Sequence, residues 1–290
     1  MIETARGLPF PDVKPDPEKD GRLQWASLSD RGRLRPGNED FAGDPDTLAA
    51  LAGPRASLGT RGALFAVADG MGGHARGEVA SKLAIEVLFS TFYTAPGESA
   101  EVFRRAMTTA NTAVRRAGIL AAPEKAGPDP DAAPLPPMGT TLVAALVLGE
   151  WVLFGNVGDS RAYLFQDGRL EQISSDHTCF ADEVRRGLVK QEDVARLPFH
   201  HLITRSLGAR DEVDVDLFWR PWQPGSTLLL ATDGLHGVVD ELSIATILAS
   251  REPADAVRAL VDTANEAGAP DNVTALVVRG MPERRARPRP

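Results

Sequence analysis

The sequence predicts an α+β fold in which antiparallel β-sheets are covered by pairs of helices. The first indication is a hairpin, because two apolar segments at 161–166 and 169–173 are separated by Asp167-Gly168, a dipeptide typical of two-residue β-turns. The second is that helical patterns at 75–93 and 98–117 follow one another without a strand between them. A βαβ unit would alternate single helices with strands, so a parallel sheet is not expected.

The other elements are predicted from the alternation or the helical spacing of apolar residues. Further strands are expected at residues 23–29, 63–68, 140–148, 151–157, 227–232 and 273–278, and further helices at 241–250 and 254–267. An apolar stripe along the helix at 75–93 comprises Val79, Leu83, Val87, Ala84, Leu88 and Phe92. Such a stripe predicts the face that packs against a sheet.

The bulk composition excludes several classes of function. The 290-residue chain has a net charge of −8 and therefore lacks the basic field that binding to nucleic acid requires. No apolar run approaches the ~20 residues that a membrane-spanning helix needs. Cys179 is the only cysteine, which excludes an intrachain disulfide and suits a reducing compartment. We therefore expect a soluble, cytoplasmic monomer without nucleic-acid or membrane partners.

The domain organisation follows from where prolines and charged residues accumulate. Residues 1–21 are polar and proline-containing, which predicts a flexible leader, and 281–290 form an Arg/Pro-rich tail. Between them we expect one domain at 22–280. It is interrupted by a mobile proline-rich loop at 118–137 and by a polar insert at about 179–200.

Acidic residues beside glycine or asparagine recur at the predicted ends of strands. Asp69 follows the apolar run at 63–68, Asp233 follows 227–232, and Asp271 lies just before 273–278. Each alone is also typical of an ordinary turn, since Asp-Gly is a common turn pair. Several of them on separate strand ends indicate carboxylates that converge on hard cations, which prefer oxygen ligands.

Such a centre suits phosphoryl chemistry. Two metal ions held by shared carboxylates activate a water and orient a phosphoryl group for in-line displacement. A cationic side chain near the phosphate is also needed, and Arg35, five residues before Asp40, offers a bidentate guanidinium.

The order of these motifs resembles the metal-dependent Ser/Thr protein phosphatases of the type 2C (PPM) family, in its bacterial single-domain branch. The resemblance extends from about residue 24 to residue 278. It is carried by Arg35 with Asn38-Glu39-Asp40, Asp69-Gly70-Met71-Gly72-Gly73, Met138-Gly139-Thr140-Thr141, Gly158-Asp159-Ser160-Arg161, Ser175-Asp176-His177-Thr178, Thr204-Arg205-Ser206-Leu207-Gly208, Thr232-Asp233-Gly234 and Asp271-Asn272-Val273-Thr274.

The resemblance implies a central β-sandwich of two antiparallel sheets flanked by helix pairs, with α-β-β-α layers and a metal centre at one end. It implies that Asp69, Asp233 and Asp271 bind a first Mn²⁺ or Mg²⁺, and that Asp69 and the Gly70 carbonyl bind a second. Asp40, alone or together with Glu39, is expected to act through metal-bound water. The insert at about 179–200 corresponds to the family's flap, a segment beside the cleft that is associated with substrate choice.

Two further residues receive roles from the same resemblance. Asp159 would hold a third, weaker ion together with Asp233, and Arg35 would contact the substrate phosphate. The catalytic set is thus Arg35, Asp40, Asp69 and Asp233.

The implied reaction is hydrolysis of phosphoserine or phosphothreonine in proteins by a metal-activated water, opposing a Ser/Thr protein kinase. The alternative is a non-catalytic member of the same fold that binds phosphoproteins or a kinase. Met71 stands where eukaryotic members have a histidine proposed as general acid. The group that protonates the leaving oxygen is therefore left open between His74, His177 and a metal-bound water.

Overall fold

The computed structural model describes residues 23–47, 61–72, 75–121, 138–190, 193 and 202–281. Its strands are β1 Leu23–Asp30, β2 Asp40–Gly43, β3 Ala63–Met71, β4 Gly139–Thr140, β5 Leu142–Leu148, β6 Trp151–Val157, β7 Arg161–Gln166, β8 Arg169–Gln172, β9 Asp216–Pro221, β10 Thr227–Ala231 and β11 Val273–Gly280. Its helices are α1 Ala75–Thr94, α2 Ser99–Leu120, α3 Ala181–Arg185, α4 Asp233–His236, α5 Glu241–Ser250 and α6 Pro253–Glu266.

The strands form two antiparallel sheets. The first sheet has the order β1-β11-β10-β7-β8, and the second has the order β2-β3-β5-β6-β9, with β4 paired to β3. Every pairing between these strands is antiparallel. The predicted α+β sandwich is therefore confirmed.

Three apolar layers hold the sandwich together, and β3 shows how the sequence builds two of them. Leu64 packs into the layer between the second sheet and helices α1 and α2, whereas its neighbour Phe65 packs between the two sheets. Successive strand residues point to opposite faces, so a strand covered on both sides reads as a continuous apolar run. The third layer lies between the first sheet and helices α5 and α6, around Leu260. Together these layers give the α-β-β-α order.

Helix α1 is buried along part of the predicted stripe only. Ala84, Leu88 and Phe92 are fully buried against the second sheet. Each large apolar side chain removed from water in this way contributes about 1.5–3 kcal/mol to folding. Val79, however, is 51% exposed, so its inclusion in the stripe was wrong. Near the start of the helix the buried positions are Gly77, Ala80 and Ser81.

Most predicted boundaries agree with the structure, and two strands were missed. The hairpin at Asp167-Gly168 forms as predicted, with positive φ angles of 53° and 76° that suit a tight turn. Strands β2 and β9 were not predicted, because β2 has only four residues and β9 ends in a proline after a polar segment. Helix α2 continues to Leu120, three residues beyond its predicted end.

The leader at 1–21, most of the loop at 118–137, part of the flap and the tail beyond Met281 lie outside the described residues. No helix among those described is long and apolar enough to cross a membrane.

Candidate functional site

The acids predicted from the sequence approach one end of the sandwich from both sheets. Asp40 is the first residue of β2 and is paired in register with Asp69, which lies near the end of β3. Both therefore belong to the second sheet. Their positions depend on backbone pairing, so they are fixed by the sheet and not by a loop.

The other three acids lie in connections beside the first sheet. Asp233 begins helix α4 directly after β10, and Asp271 lies just before β11, the neighbour of β10. Asp159 lies in the turn between β6 of the second sheet and β7 of the first. Two sheets and the connection between them thus contribute to one cluster, which we call the acid cluster: Asp40, Asp69, Asp159, Asp233 and Asp271.

Asp69 is the electrostatic centre of the acid cluster. Burial raises the pKa of Asp69 well above its usual value, and the charges of Asp40, Asp233, Asp159 and Asp271 raise it further. Like charges raise one another's pKa most strongly when they lie close together and are shielded from water. The structure therefore brings the other four acids close enough to Asp69 for their charges to act on it.

Asp40 links the two sheets through hydrogen bonds. Its Oδ2 accepts from the hydroxyls of Thr232 (2.8 Å) and Thr274 (2.7 Å), which lie beside β10 and in β11 of the first sheet. Burial raises the pKa of Asp40 to about 7, although these two hydrogen bonds favour the charged form. One carboxylate oxygen of Asp40 is thus fixed, and the other remains available.

Three members of the acid cluster have a buried oxygen that makes no hydrogen bond, namely the Oδ1 atoms of Asp40, Asp159 and Asp233. Burial raises the pKa of Asp159 to about 7, and burial together with the charge of Asp271 raises that of Asp233. Buried polar atoms without partners are rare in folded proteins and require an explanation. A hard cation that accepts oxygen ligands would supply one.

The donor set suits Mn²⁺ or Mg²⁺, since it consists of carboxylate and carbonyl oxygens. Within the part of the chain that the structure describes, no three His, Cys, Asp or Glu side chains already surround a single point in the manner of a metal site. The fit therefore depends on the unpartnered oxygens and on the charge of the acid cluster.

Close contact between backbone segments shapes the wall beside Asp69. The Gly70 N–H donates to the Glu39 carbonyl (3.1 Å), and a Cβ at Gly70 would lie 2.1 Å from the Gly77 carbonyl oxygen of helix α1. A Cβ at Gly77 would in turn lie 2.0 Å from Glu39 Oε2. Only glycine permits this approach at either position.

Asn272 anchors the segment that carries Asp40. Its Oδ1 accepts from the Glu39 N–H (2.8 Å), and its Nδ2 donates to the carbonyls of Arg31 and Gly37, each at 2.8 Å. Three hydrogen bonds to the backbone between residues 31 and 39 hold the segment against the start of β11.

Arg35 lies at the rim of the acid cluster. Its Nη2 donates to Asp271 Oδ2 at 2.5 Å, and its side chain is 54% exposed. The hydrogen bond to Asp271 raises the pKa of Arg35, and the charges of Glu39 and Asp69 add to this effect. The structure thus shows Arg35 beside the predicted metal ligands, in an ion pair with one of them.

Sequence reasoning missed four residues that support the site: Gly77, Thr232, Asn272 and Thr274. Three of them belong to the motifs that contain Asp233 and Asp271, so their position in the sequence was visible. Their hydrogen-bond partners were not, because they lie far away in the chain.

Comparison with known proteins agrees with this geometry. A family model described as protein phosphatase 2C matches residues 55–277. The serine/threonine phosphatase stp of Listeria welshimeri is 34% identical over 252 residues, covering 86% of this chain and 93% of that protein. The serine/threonine protein phosphatase PstP of Mycobacterium tuberculosis is 37% identical over 255 residues, covering 88% of this chain and 44% of that protein.

A solved structure of a related phosphatase is also similar to this chain. The crystal structure of the catalytic domain of PstP in complex with 2 manganese ions is similar to this chain with a TM-score of 0.71 and 34% sequence identity, covering 90% of this chain and 99% of that one. All five residues of the acid cluster belong to the described part of the chain.

Proposed function

The chain belongs to the protein phosphatase 2C family and is a protein-serine/threonine phosphatase, and we propose that the acid cluster is its metal-dependent active site. The observation that carries the proposal is the set of three buried carboxylate oxygens without partners. They belong to a cluster in which burial and the neighbouring charges raise the pKa values of Asp40, Asp69, Asp159 and Asp233. Buried carboxylates that repel one another and have unpartnered oxygens are more stable with a bound cation than without one.

We assign the ligands as follows. Asp69, Asp233 and Asp271 would hold one Mn²⁺ or Mg²⁺, and Asp69 with the Gly70 carbonyl would hold another. A third ion, bound more weakly, would use Asp159 and Asp233. When bound, the ions supply Lewis-acid activation of a water and neutralise charge on the phosphoryl group.

The residues of the chain orient the reactants. Asp40 has Oδ2 fixed by two threonine hydroxyls, so its unpartnered Oδ1 can accept a hydrogen bond from the attacking water. This bond would direct an oxygen lone pair of the water toward phosphorus, in line with the departing seryl or threonyl oxygen.

Arg35 would bind the phosphoryl oxygens. Its present partner is Asp271, which is also a proposed metal ligand. A carboxylate that shares its charge with a cation holds an arginine less strongly, and the half-exposed guanidinium is then free to form charge-assisted hydrogen bonds with the phosphate.

Several finer assignments belong to the same proposal. We propose that residues 22–280 form the catalytic domain and that the flap at about 179–200 contributes to substrate choice. The substrates would be phosphorylated Ser/Thr proteins, including those of a cognate kinase or the kinase itself. The enzyme would act in the cytoplasm as a monomer. The alternative of a non-catalytic binding member is not favoured, because all five acids are present.

Metal-dependent hydrolysis of a phosphothreonine peptide tests the assignment. Asp69→Asn or Asp233→Asn should reduce turnover at limiting Mn²⁺ by at least about 100-fold, because each removes a charged ligand from the centre. Asp262→Asn changes an exposed aspartate of helix α6 and serves as the matched control. Wild-type turnover in either site variant would refute the assignment.

A further inference from the structure

The two ends of the flap meet in a short antiparallel arrangement that we call the flap base: residues 177–179 and 202–204. The Cys179 N–H donates to the Leu202 carbonyl (3.0 Å), and the Thr204 N–H donates to the His177 carbonyl (2.8 Å). Thr178 and Ile203 form an isolated bridge between these bonds. His177 is therefore bonded across the flap base through its carbonyl.

His177 exchanges two hydrogen bonds with the turn that carries Asp159. The His177 N–H donates to the Gly158 carbonyl (3.0 Å), and the Gly158 N–H donates to His177 Nδ1 (2.9 Å). A backbone N–H can only donate, so Nδ1 carries no proton and the neutral imidazole has its proton on Nε2. The side chain is almost completely buried, with 3% exposure.

The proton on Nε2 has a fixed partner. Nε2 lies 3.1 Å from Asp216 Oδ2, and Asp216 also accepts from Arg205 Nη1 through Oδ1 at 2.8 Å. Burial alone would raise the pKa of Asp216, but the hydrogen bonds from His177 and Arg205 lower it to about 2. Asp216 therefore stays ionised and holds both groups. Arg205 Nη1 also approaches His177 Nε2 to 2.9 Å, but both atoms are donors, so the shared carboxylate and not a direct bond keeps them together.

A second histidine fixes the other side of the same turn. His236 Nε2 lies 3.1 Å from the Asp159 carbonyl oxygen, to which it can only donate. The peptide before Asp159 is thus held by His177, and the peptide after it is held by His236. Gly158, with a φ of 111°, makes the sharp turn between strand β6 and Asp159. The Asp159 carboxylate, 5% exposed and with an unpartnered Oδ1, consequently has a defined direction.

We propose that His177 and Asp216 are positioning residues that hold the Asp159 turn in the geometry needed for the third, weaker metal ion, and that they fasten this turn to the flap base. The proposal rests on the proposed function, since it assumes that Asp159 is a ligand. It also removes His177 from the candidates for general acid, because its only proton is donated to the ionised Asp216. His177 acts on the Asp159 turn through hydrogen bonds to the Gly158 backbone, so its effect on Asp159 is steric and directional.

Two substitutions of His177 separate positioning from general packing. His177→Asn keeps an acceptor near the place of Nδ1 for the Gly158 N–H, whereas His177→Leu has a similar volume and no acceptor. Mn²⁺ bound per chain, counted by equilibrium dialysis, provides a readout independent of turnover, and kcat for a phosphothreonine peptide provides the second. The unfolding midpoint in each variant reports whether the fold is kept.

We expect His177→Leu to lose the weakest ion, keep the two tighter ones, and lower kcat by about 10-fold or more, in the range typical of residues that orient metal ligands. His177→Asn should retain most of both properties. The double variant His177→Leu/Asp159→Ala should be no slower than Asp159→Ala alone, because both changes remove the same contribution. Asp216→Asn should shift Mn²⁺ binding in the same direction and serves as the test if His177→Leu unfolds.

Full retention of the weakest ion and of kcat in His177→Leu would overturn the proposal, as would a double variant in which the two losses multiply. A purely structural role would instead lower the unfolding midpoint in both His177 variants and leave the count of bound ions unchanged. If the wild-type protein bound no Mn²⁺ at all, the proposed function would fail first, and the two failures are therefore distinguishable.

Discussion

Gly70→Ala should separate two backbone segments at the centre of the acid cluster. The new Cβ would lie 2.1 Å from the Gly77 carbonyl oxygen and 2.6 Å from that of Glu39, whereas real Cβ contacts essentially never fall below 3.0 Å. Strand β3 and helix α1 must therefore move apart by about 1 Å at this point. Neither neighbour is a flexible side-chain end, so the movement displaces the backbone beside Asp69.

The cost should appear in both stability and rate. Overpacking of this kind destabilises a folded protein by about 1–3 kcal/mol. A displacement of about 1 Å at a reacting centre costs roughly 100-fold in rate. The expected result is a folded enzyme with a slightly lower unfolding midpoint and a kcat about two orders of magnitude lower, measured on a phosphothreonine peptide at saturating Mn²⁺.

The control is Gly37→Ala, since Gly37 belongs to the segment before Asp40 but has no atom within 4 Å of the position that a Cβ would take. We expect wild-type kcat and stability for this variant. If Gly70→Ala also kept wild-type kcat, the close approach of the Gly70 and Gly77 backbones would not be what positions Asp69, and the reasoning would be refuted.

Two other predictions use the charges around the site. Arg35→Ala should raise KM for phosphorylated substrate about tenfold or more through the loss of charge-assisted hydrogen bonds to phosphate. Arg33→Ala, which changes another exposed arginine of the same segment, is its control. An unchanged KM in Arg35→Ala would exclude a contact between Arg35 and the phosphate. In the presence of a chelator, Asp159→Asn should be more stable than the wild type at pH 7.5 by about 1–3 kcal/mol in denaturant unfolding. The reason is that burial raises the pKa of Asp159 to about 7 from 3.8, so the folded wild type loses stability as pH rises between these values. The advantage of the variant should therefore shrink toward pH 4, and a variant less stable than wild type at pH 7.5 would contradict this account.

The part of the site that could be predicted from sequence is the part encoded locally. Asp69 and Asp233 follow apolar runs that form β3 and β10, so their places at the end of a sheet follow from strand periodicity. Strand β2 was missed because its four residues carry too short a pattern, although it places Asp40 opposite Asp69. Edge strands of this kind are recognised mainly by the strand they pair with.

The supporting contacts could not be predicted, because they join distant parts of the chain. Asp40 binds Thr232 and Thr274, which are 192 and 234 residues away. No local pattern reports such a pair, and each threonine alone suits a strand equally well through its β-branched side chain. The same holds for His177 and Asp216, whose roles depend on the place where the flap base meets β9. Local propensity thus determined the elements, and tertiary packing determined which polar groups they share.

An anomalous difference map from crystals of the protein grown with Mn²⁺ tests whether the acid cluster holds the metal ions. We expect two strong peaks beside the Asp69 carboxylate, one of them shared with Asp233 and Asp271 and the other with the Gly70 carbonyl, and a weaker third peak at Asp159. The third peak should be absent in Asp159→Ala while the first two remain. A map without a peak at Asp69 and Asp233, from a protein that still hydrolyses phosphothreonine peptides, would show that the acid cluster is not the metal centre.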